Sequence, residues 1–488
     1  MALITSPPAP HPRQRQLRRL AQAGKLRKIH AGLYTDDLKS PLARITQREA
    51  LAIAAILAPG AIISHRSALT AGPSTVLHMT GPVRRDVKIE GLSLFVHQGT
   101  GPLDTDIHIP TLVPGVIAHR SSIPRALLEN LQITRSRAGR EAASAGRAAV
   151  EAWLDTFLSR HNETAINDLR DKARVISAEL SLEREFEILS SIIGALLGTR
   201  DVRLSHPQSI GRSQGFPYDG KRVDLFQKVA HYLNTKPPEV PRANAGTSGR
   251  MQSFIESYFS NYIEGTKFQI EEALQIVNSR SPQEFREDDS HDVIGTFDAI
   301  EESKAHPVVP LTQDGLEERL QAWNRQVLFA RASKNPGEWK VRANQAGASL
   351  FVQPDLVRGT LRKGFELIWA SPLPESRAAL AKFVVSEIHP FADGNGRVSR
   401  LLMNLILSEA GLTRIVIPTV FHEDYILALK ALTNDGHTEP YVRMLTRAAQ
   451  FSWALDYGDQ GHLLQQLDRS NAKKEPAEAK LNLAALAD

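Results

Sequence analysis

The segment from Ile388 to Leu412, IHPFADGNGRVSRLLMNLILSEAGL, decides how the rest of the sequence is interpreted. Apolar residues recur at helical spacing in the preceding run ESRAALAKFVVSEI. They recur again in GRVSRLLMNLILSEA, until Gly411 ends the pattern. The sequence therefore predicts two helices joined by a glycine-rich loop.

The residues of this loop suit a polyphosphate. Its glycines leave backbone N–H groups free at the start of the second helix, where an anion binds well. Arg397 and Arg400 are three residues apart, so both guanidinium groups are expected on one face of that helix. Asp393 offers an oxygen ligand for Mg²⁺, and His389 can accept a proton from an incoming hydroxyl. The pattern indicates phosphoryl or nucleotidyl transfer.

The run HPFADGNGRVSR resembles the signature H-P-F-x-D/E-G-N-G-R-x-x-R of the Fic family and agrees with it at every fixed position. The resemblance implies a protein adenylyltransferase that moves AMP from ATP to a Ser, Thr or Tyr hydroxyl of a target protein, with Mg²⁺ as cofactor. It also implies roles for single residues: His389 as base, Asp393 as metal ligand, Gly394, Asn395 and Gly396 as the anion hole, and Arg397 and Arg400 as phosphate ligands.

The contacts of the nucleotide base are less defined by the sequence. Asn404 and Tyr425 either approach the nucleotide or pack in the core, and both interpretations stay open. Some relatives carry an Asn at the position that is Thr433 here. The nucleotide preference is therefore left open.

A second Fic-like element is SLFVQPDLVRGTL, from Ser349 to Leu361. It resembles the β-hairpin flap that holds a target peptide by adding a strand to it. The residues expected to bind the target in this way are Phe351, Val352, Gln353 and Pro354. An ordinary hairpin is the alternative.

Upstream of the loop, SFIESYFSNYIEGT predicts an amphipathic helix, because its apolar residues follow i, i+3, i+4, i+7 and i+8. Its Ser-x-x-x-Glu-Gly pattern resembles the inhibitory helix of Fic proteins. The resemblance implies that Ser260 and Glu264 restrain the enzyme, with Glu264 paired to Arg400 in place of a phosphate. Two alternatives are an exposed Glu on a core helix and a Glu that orients water to remove AMP from a modified protein.

The N-terminal end is basic. Residues 1 to 45 carry nine Lys or Arg and two Asp, a net charge of +7, whereas the whole chain has +5. The pattern LRRLAQAGKLRKIHAGLYT predicts a helix and a strand pair turning at Ala31 and Gly32, and it resembles the wing region of winged-helix antitoxins of abortive-infection type. The residues that the resemblance places on DNA are Arg18, Arg19, Lys25, Arg27 and Lys28. Docking to a protein is an equal alternative, and a DNA-binding regulator is the second functional hypothesis.

The predicted fold class is mainly α, with a multi-helix Fic core and a β-hairpin flap, preceded by a small α+β winged-helix-like domain. The predicted segments are 1–75 (basic module), 76–180 (mixed, then helical), 181–284 (accessory region with the inhibitory helix 251–265), 285–455 (catalytic core) and 456–488 (polar tail). The sequence has no Cys, no apolar run of the roughly 20 residues that a membrane span needs, and no secretory signal pattern. A cytoplasmic protein without a membrane partner is expected, and a homodimer is a further expectation.

Overall fold

The computed structural model describes residues 3–6, 12–70, 72, 74–136, 141–244, 249–346 and 349–486. The chain forms two compact units, Met1–Gln214 and Gly215–Asp488, which are described separately. The prediction of a mainly helical chain is confirmed. No helix of the described residues has the length and apolar character needed to cross a bilayer.

The first unit begins with a three-stranded antiparallel sheet in the order β1-β3-β2, which packs on helix α1. The elements are β1 (Leu3–Thr5), α1 (Pro12–Gln22), β2 (Arg27–His30) and β3 (Leu33–Thr35). The predicted helix and strand pair are present, and Gly32 makes the turn with φ of 77°. The strand β1 pairs with β3 in antiparallel register, with Leu3 opposite Thr35. The identification of this region as a winged helix stays a prediction.

A six-stranded sheet in the order β6-β7-β5-β4-β9-β8 follows, and helices complete the first unit. The next elements are α2 (Leu42–Arg48), α3 (Ala50–Leu57), β4 (Ile62–Ile63), α4 (His65–Leu69), β5 (Val76–Gly81), β6 (Arg85–Ile89), β7 (Leu92–Gln98), β8 (Ile107–Pro110), β9 (Ile117–Arg120), α5 (Ile123–Leu131), α6 (Arg147–Leu158), α7 (Glu163–Leu180), α8 (Glu183–Leu196) and α9 (Pro207–Ser213). The strands β6 and β7 form an antiparallel hairpin that turns at Gly91. The sheet crosses the predicted boundary at residue 75, because β4 pairs with β5.

The second unit is built from helices. They are α10 (Gly220–Thr235), α11 (Arg250–Ile263), α12 (Ile270–Ser279), α13 (Glu287–Ala305), α14 (Gln313–Val327), α15 (Val357–Ala370), α16 (Pro374–Ile388), α17 (Asn395–Glu409), α18 (His422–Asp435), α19 (Glu439–Ala454) and α20 (Gln460–Arg469). One hydrophobic core runs from Phe226 on α10 to Leu486. It is wider than the predicted core 285–455, because α10, α11, α12 and α20 all contribute buried residues to it.

Two further differences from the sequence predictions lie in this unit. The predicted flap strand is shorter than expected: β10 (Gln345–Ala346) pairs with β11 (Ser349–Leu350), and residues 351–354 follow β11 rather than form it. The segment 456–488 is not a free tail, because Leu463, Leu467 and Leu486 are buried in the core. Burial of such side chains stabilises the unit by roughly 1.5–3 kcal/mol each before entropy is counted.

Candidate active site

The glycine-rich loop joins α16 to α17, as the sequence predicts. His389 ends α16 in the left-handed conformation with φ of 54°, and Gly394 precedes α17 with φ of 77°. The ring of Phe391 is buried and stacks on Trp339 at 5.0 Å between ring centroids. Asn395 binds the backbone of Phe391 twice, accepting from its N–H at 2.8 Å and donating to its carbonyl at 3.0 Å. The side chain of Asn395 therefore maintains the shape of the loop.

His389 is oriented to act through its Nε2 atom. Its Nδ1 lies 3.2 Å from the carbonyl oxygen of Ser386, and a carbonyl can only accept, so Nδ1 carries the hydrogen in the neutral ring and Nε2 is left as the base. The imidazole stacks on Phe351 with centroids 3.9 Å apart and an interplanar angle of 8°. Burial lowers the pKa of His389 below its ordinary value, and the charge of Lys340 adds to this effect.

Arg400 is bound by the end of α11. Its Nη2 donates to Glu264 Oε1 at 2.8 Å and to the Ser260 carbonyl at 2.9 Å, and its Nε donates to Ser260 Oγ at 3.0 Å. Burial alone would raise the pKa of Glu264, but the charges of Arg400 and then Arg397 hold this pKa below its ordinary value. The carboxylate lies so close to Gly396 that a side chain at position 396 would collide with it. The structure thus places Ser260, Glu264 and Arg400 together.

Arg397 has a carboxylate partner that the sequence analysis did not find. Its Nη1 donates to Asp292 Oδ2 at 2.8 Å and to Asn261 Oδ1 at 3.2 Å. Asp292 lies on α13 and also pairs with Arg331. No periodicity or motif marks Asp292 in the sequence, so only its position in the fold identifies it.

Asp393 is the one predicted metal ligand. Its side chain is 35% exposed, with Lys334 Nζ at 3.9 Å and Arg397 Nη2 at 3.7 Å. Within the described residues no cluster of three or more His, Asp or Glu side chains could hold a metal ion by itself. A single carboxylate is nevertheless what Mg²⁺ uses beside nucleotide phosphates and water. The donor set therefore fits Mg²⁺ that arrives with a triphosphate.

A buried lysine and a neighbouring asparagine are hydrogen-bonded to the backbone of the loop region. Lys340 Nζ donates to Asn344 Oδ1 at 2.7 Å and to the Ile388 carbonyl at 3.2 Å. Asn344 in turn donates to the Phe391 carbonyl at 3.0 Å. Burial lowers the pKa of Lys340 to about 7. The sequence analysis did not identify this pair, which connects the loop to the segment before the flap.

The two residues left open between nucleotide contact and packing have different surroundings. Asn404 is fully buried and bonds Glu256 on α11 and the backbone of Ile415, so its side chain is part of the core. Tyr425 accepts from Arg400 Nη1 at 3.4 Å and lines the cavity beside His389. Its ring faces the buried Lys382 Nζ at 4.2 Å from the ring centroid.

The cavity at this site is lined by side chains from the loop, α11, α16, α18 and the segment after β11. The lining residues are Ile263, Glu264, Phe351, Phe383, Ser386, Glu387, His389, Gly396, Tyr425, Ile426, Leu429, Lys430 and Thr433. Of the four predicted flap residues, Phe351 lines the cavity, Val352 is buried, Gln353 is exposed, and Pro354 begins a short 3₁₀ turn. The N-terminal cations predicted to contact DNA belong to the other unit.

Together these features define a helical domain with a glycine-rich loop, an imidazole whose Nε2 can accept a proton, and two buried arginines paired with carboxylates. Residues 311–407 match the model of the Fic/DOC family. The matched segment contains the loop, α14, α16 and most of α17.

The chain is also similar to proteins of known name. The protein adenylyltransferase Fic of Drosophila virilis is 30% identical over 248 residues, which are 46% of this chain and 50% of the fly protein. The Drosophila willistoni protein of the same name is 31% identical over 283 residues, 54% of each chain. The chain spans about half the length of the curated relatives it matches.

Among solved structures, the chain is similar to a Fic domain-containing signaling protein from Bacteroides thetaiotaomicron. The identity is 19%, the TM-score is 0.37, and the alignment covers 47% of this chain and 95% of that chain.

Proposed function

We propose that this chain transfers AMP from ATP to a hydroxyl group of a protein, and that Glu264 holds it inactive at rest. The observation that carries the proposal is that His389 and Glu264 line one cavity and that the Glu264 carboxylate binds Arg400. The similarity to proteins named adenylyltransferase supports AMP as the group transferred.

The chemistry assigns one step to each group. Nε2 of His389 takes the proton from the target hydroxyl, whose oxygen then attacks the α-phosphorus of ATP. The bond from that phosphorus to the bridging oxygen breaks, and pyrophosphate leaves. Mg²⁺ on Asp393 would neutralise phosphate charge. Arg397 and Arg400 would bind the outer phosphates through paired N–H donors.

Inhibition follows from competition for Arg400. A carboxylate and a phosphate present similar oxygens to a guanidinium group, so the ion pair at 2.8 Å occupies the donors that a γ-phosphate needs. ATP would then bind in a pose that does not align its α-phosphate with the attacking hydroxyl. Removing the carboxylate restores the productive pose.

The test is incubation of the full chain with ATP and Mg²⁺, followed by mass spectrometry for added AMP on the enzyme and on candidate targets. Glu264→Gly is expected to raise labelling at least about tenfold, because the inhibited population dominates at rest. Glu264→Gln keeps an acceptor without charge and is expected to be intermediate, and His389→Ala in the Glu264→Gly chain is expected to abolish labelling. Equal labelling by wild type and Glu264→Gly would contradict inhibition by Glu264.

The opposite reaction is an outcome of the same assay. If Glu264 orients a water, the wild type will remove AMP from a labelled target in the presence of Mg²⁺, and Glu264→Gly will not. Loss of label with wild type but not with Glu264→Gly would mean that the resting activity is removal of AMP and not its transfer.

We propose DNA as a second partner, for the first unit. Arg18, Arg19, Lys25 and Lys28 are exposed, and no carboxylate of the described residues lies within ion-pair distance of them. Arg27 is less available, because its Nη1 donates to the Ser40 carbonyl at 2.9 Å. Exposed cations without a carboxylate partner favour a polyanion.

Retardation of duplex DNA should therefore weaken steeply between 50 and 200 mM salt, on the order of tenfold or more for a few phosphate contacts. Replacing both Arg18 and Arg19 by Gln should remove most of it. Exposed Arg84 to Gln is the matched control, since it lies outside residues 1–45. Absence of retardation at low salt would leave protein docking as the role of these exposed cations.

A further inference from the structure

A second group of polar side chains lines the active-site cavity, apart from those assigned to catalysis and inhibition. It consists of Glu387 at the end of α16 and Thr433 and Lys430 on α18. Glu387 and Thr433 are joined directly, because Thr433 Oγ1 donates to Glu387 Oε2 at 2.6 Å. Ile426 and Leu429 of α18 add an apolar surface to the lining, which suits the face of a planar ring.

Glu387 is a buried carboxylate with a fixed orientation. Its side chain is 6% exposed, and its Oε1 accepts from Arg222 Nη1 on α10. Arg222 is itself held by the Leu350 carbonyl of β11, to which its Nη2 donates at 2.6 Å. The guanidinium group of Arg222 on one oxygen balances the charge of Glu387. Together with the Thr433 hydroxyl on the other oxygen, it fixes the orientation of the carboxylate.

The hydrogen-bonding capacity that remains is one-sided. A carboxylate only accepts, and each of its oxygens has a second lone pair available. The hydroxyl proton of Thr433 is already used on Glu387, so toward a ligand that oxygen can also only accept. Lys430 is the donor of this group, but it is exposed, so water competes for its ammonium. The buried part of this group therefore presents acceptors.

We infer that Glu387 makes the site select a nucleobase that carries an exocyclic amino group, as adenine does, and disfavour uracil. This rests on the proposed function. The amino group of adenine or cytosine donates to a carboxylate, whereas uracil presents a carbonyl oxygen at the equivalent position. A carbonyl against a buried carboxylate leaves both acceptors without a donor, which is the situation that polar sites discriminate most strongly.

The test separates binding from transfer. The full chain with Glu264→Gly and His389→Ala binds nucleotide without reacting, and the Kd values of ATP and UTP with Mg²⁺ are measured by calorimetry. ATP is expected to bind at least about tenfold more tightly than UTP, because one polar mismatch at a buried site costs about that factor in affinity. Adding Glu387→Gln should reduce the ratio by about tenfold, because an amide can turn its N–H toward a carbonyl oxygen. Glu375→Gln, in the first turn of the same helix, is the matched control and should not change the ratio.

Each outcome decides one claim. An ATP to UTP ratio near one, or a ratio that Glu387→Gln leaves unchanged, would overturn the inference even if Glu264→Gly transfers AMP. A ratio that shifts as expected while no nucleotide supports transfer would leave the inference standing and remove the proposed function. If thermal melting shows that Glu387→Gln is unfolded, Thr433→Val replaces it: loss of the hydroxyl that orients Glu387 should lower the ratio about threefold, and no change would count against the inference.

Discussion

At the scale of single residues, the chemistry of the site depends on whether the His389 imidazole carries a proton. The pKa of His389 is lowered by burial, whereas the Ser386 carbonyl and the charges of Glu264 and Asp393 act to raise it. A lowered pKa means that the imidazole releases its proton at lower pH than an exposed histidine. His389 is therefore already a base at neutral pH.

The first prediction concerns the pH profile of the Glu264→Gly enzyme, in which a charge that raises the pKa of His389 is absent. Its kcat/KM for labelling should be constant above the ordinary histidine pKa of 6.5 and fall only at lower pH. Phe351→Ala uncovers the imidazole to water, so the acidic limb should move to higher pH. A limb that stays in place with Phe351→Ala would show that the stacked ring does not contribute to the shift.

A second residue-scale prediction concerns Lys340, which burial shifts from an ordinary pKa of 10.5 to about 7. Between these values the unfolded chain binds one more proton than the folded one, so the free energy of unfolding rises with pH in that window. Relative to Lys340→Met, wild-type stability should rise by up to about 1.4 kcal/mol per pH unit from pH 7 to pH 9. Urea unfolding at several pH values measures this, and parallel curves for the two chains would contradict it.

At the scale of elements, α11 is a core helix whose end reaches the active site. Its residues Gln252 to Asn261 are all buried. Glu256 in its middle receives Arg414 Nε at 2.7 Å and Nη2 at 2.8 Å. A helix held in this way cannot leave the unit at low cost. Under the proposed inhibition, Arg400 would therefore be released by a movement of Glu264 and the last turn.

The third prediction contrasts two substitutions on this helix. Ser260→Ala removes one of the hydrogen bonds to Arg400, which is worth about 1 kcal/mol of the free energy that holds the inhibited state. Labelling should therefore rise severalfold. Glu256→Gln leaves Arg414 buried without a charge partner and should lower the free energy of unfolding by about 3–5 kcal/mol without activation. Labelling assays and chemical unfolding separate the two effects, and strong activation by Glu256→Gln would mean that the whole helix moves.

At the scale of the whole molecule, every contact described for the site lies within the second unit. The core of that unit begins at α10, where Phe226 is fully buried and Arg222 binds Glu387. The boundary predicted at residue 285 would cut through this core. The segment 311–407 that matches the family model is likewise only part of the folded unit.

The fourth prediction follows from this boundary. A chain that starts at Gly215 should be soluble, melt cooperatively and, with Glu264→Gly, retain ATP-dependent labelling. A chain that starts at Phe285 loses α10, α11 and α12 and should aggregate, because the apolar surface that they cover is exposed. Gel filtration and thermal melting distinguish them, and a soluble, cooperatively melting 285–488 chain would show that the accessory helices are dispensable.

Several features were predictable because the residues that define them are close in sequence. The loop between α16 and α17, the positions of His389 and Arg400 at its two sides, and the amphipathic character of α11 follow from composition and helical spacing. The flap was only partly predictable: alternation in SLFVQ indicates a longer strand, but β11 ends at Leu350, and the Phe351 ring stacks on His389.

The sequence by itself determined that an imidazole, a carboxylate and two guanidinium groups meet at a glycine-rich loop, since one short segment carries them all. The tertiary structure alone decided two other sets of partners: Asp292 for Arg397, and Arg222 with Thr433 for Glu387. The physical reason is distance along the chain. Arg222 and Glu387 are 165 residues apart, and pairs so far apart leave no periodic signal, because they meet only when the helices pack into one core.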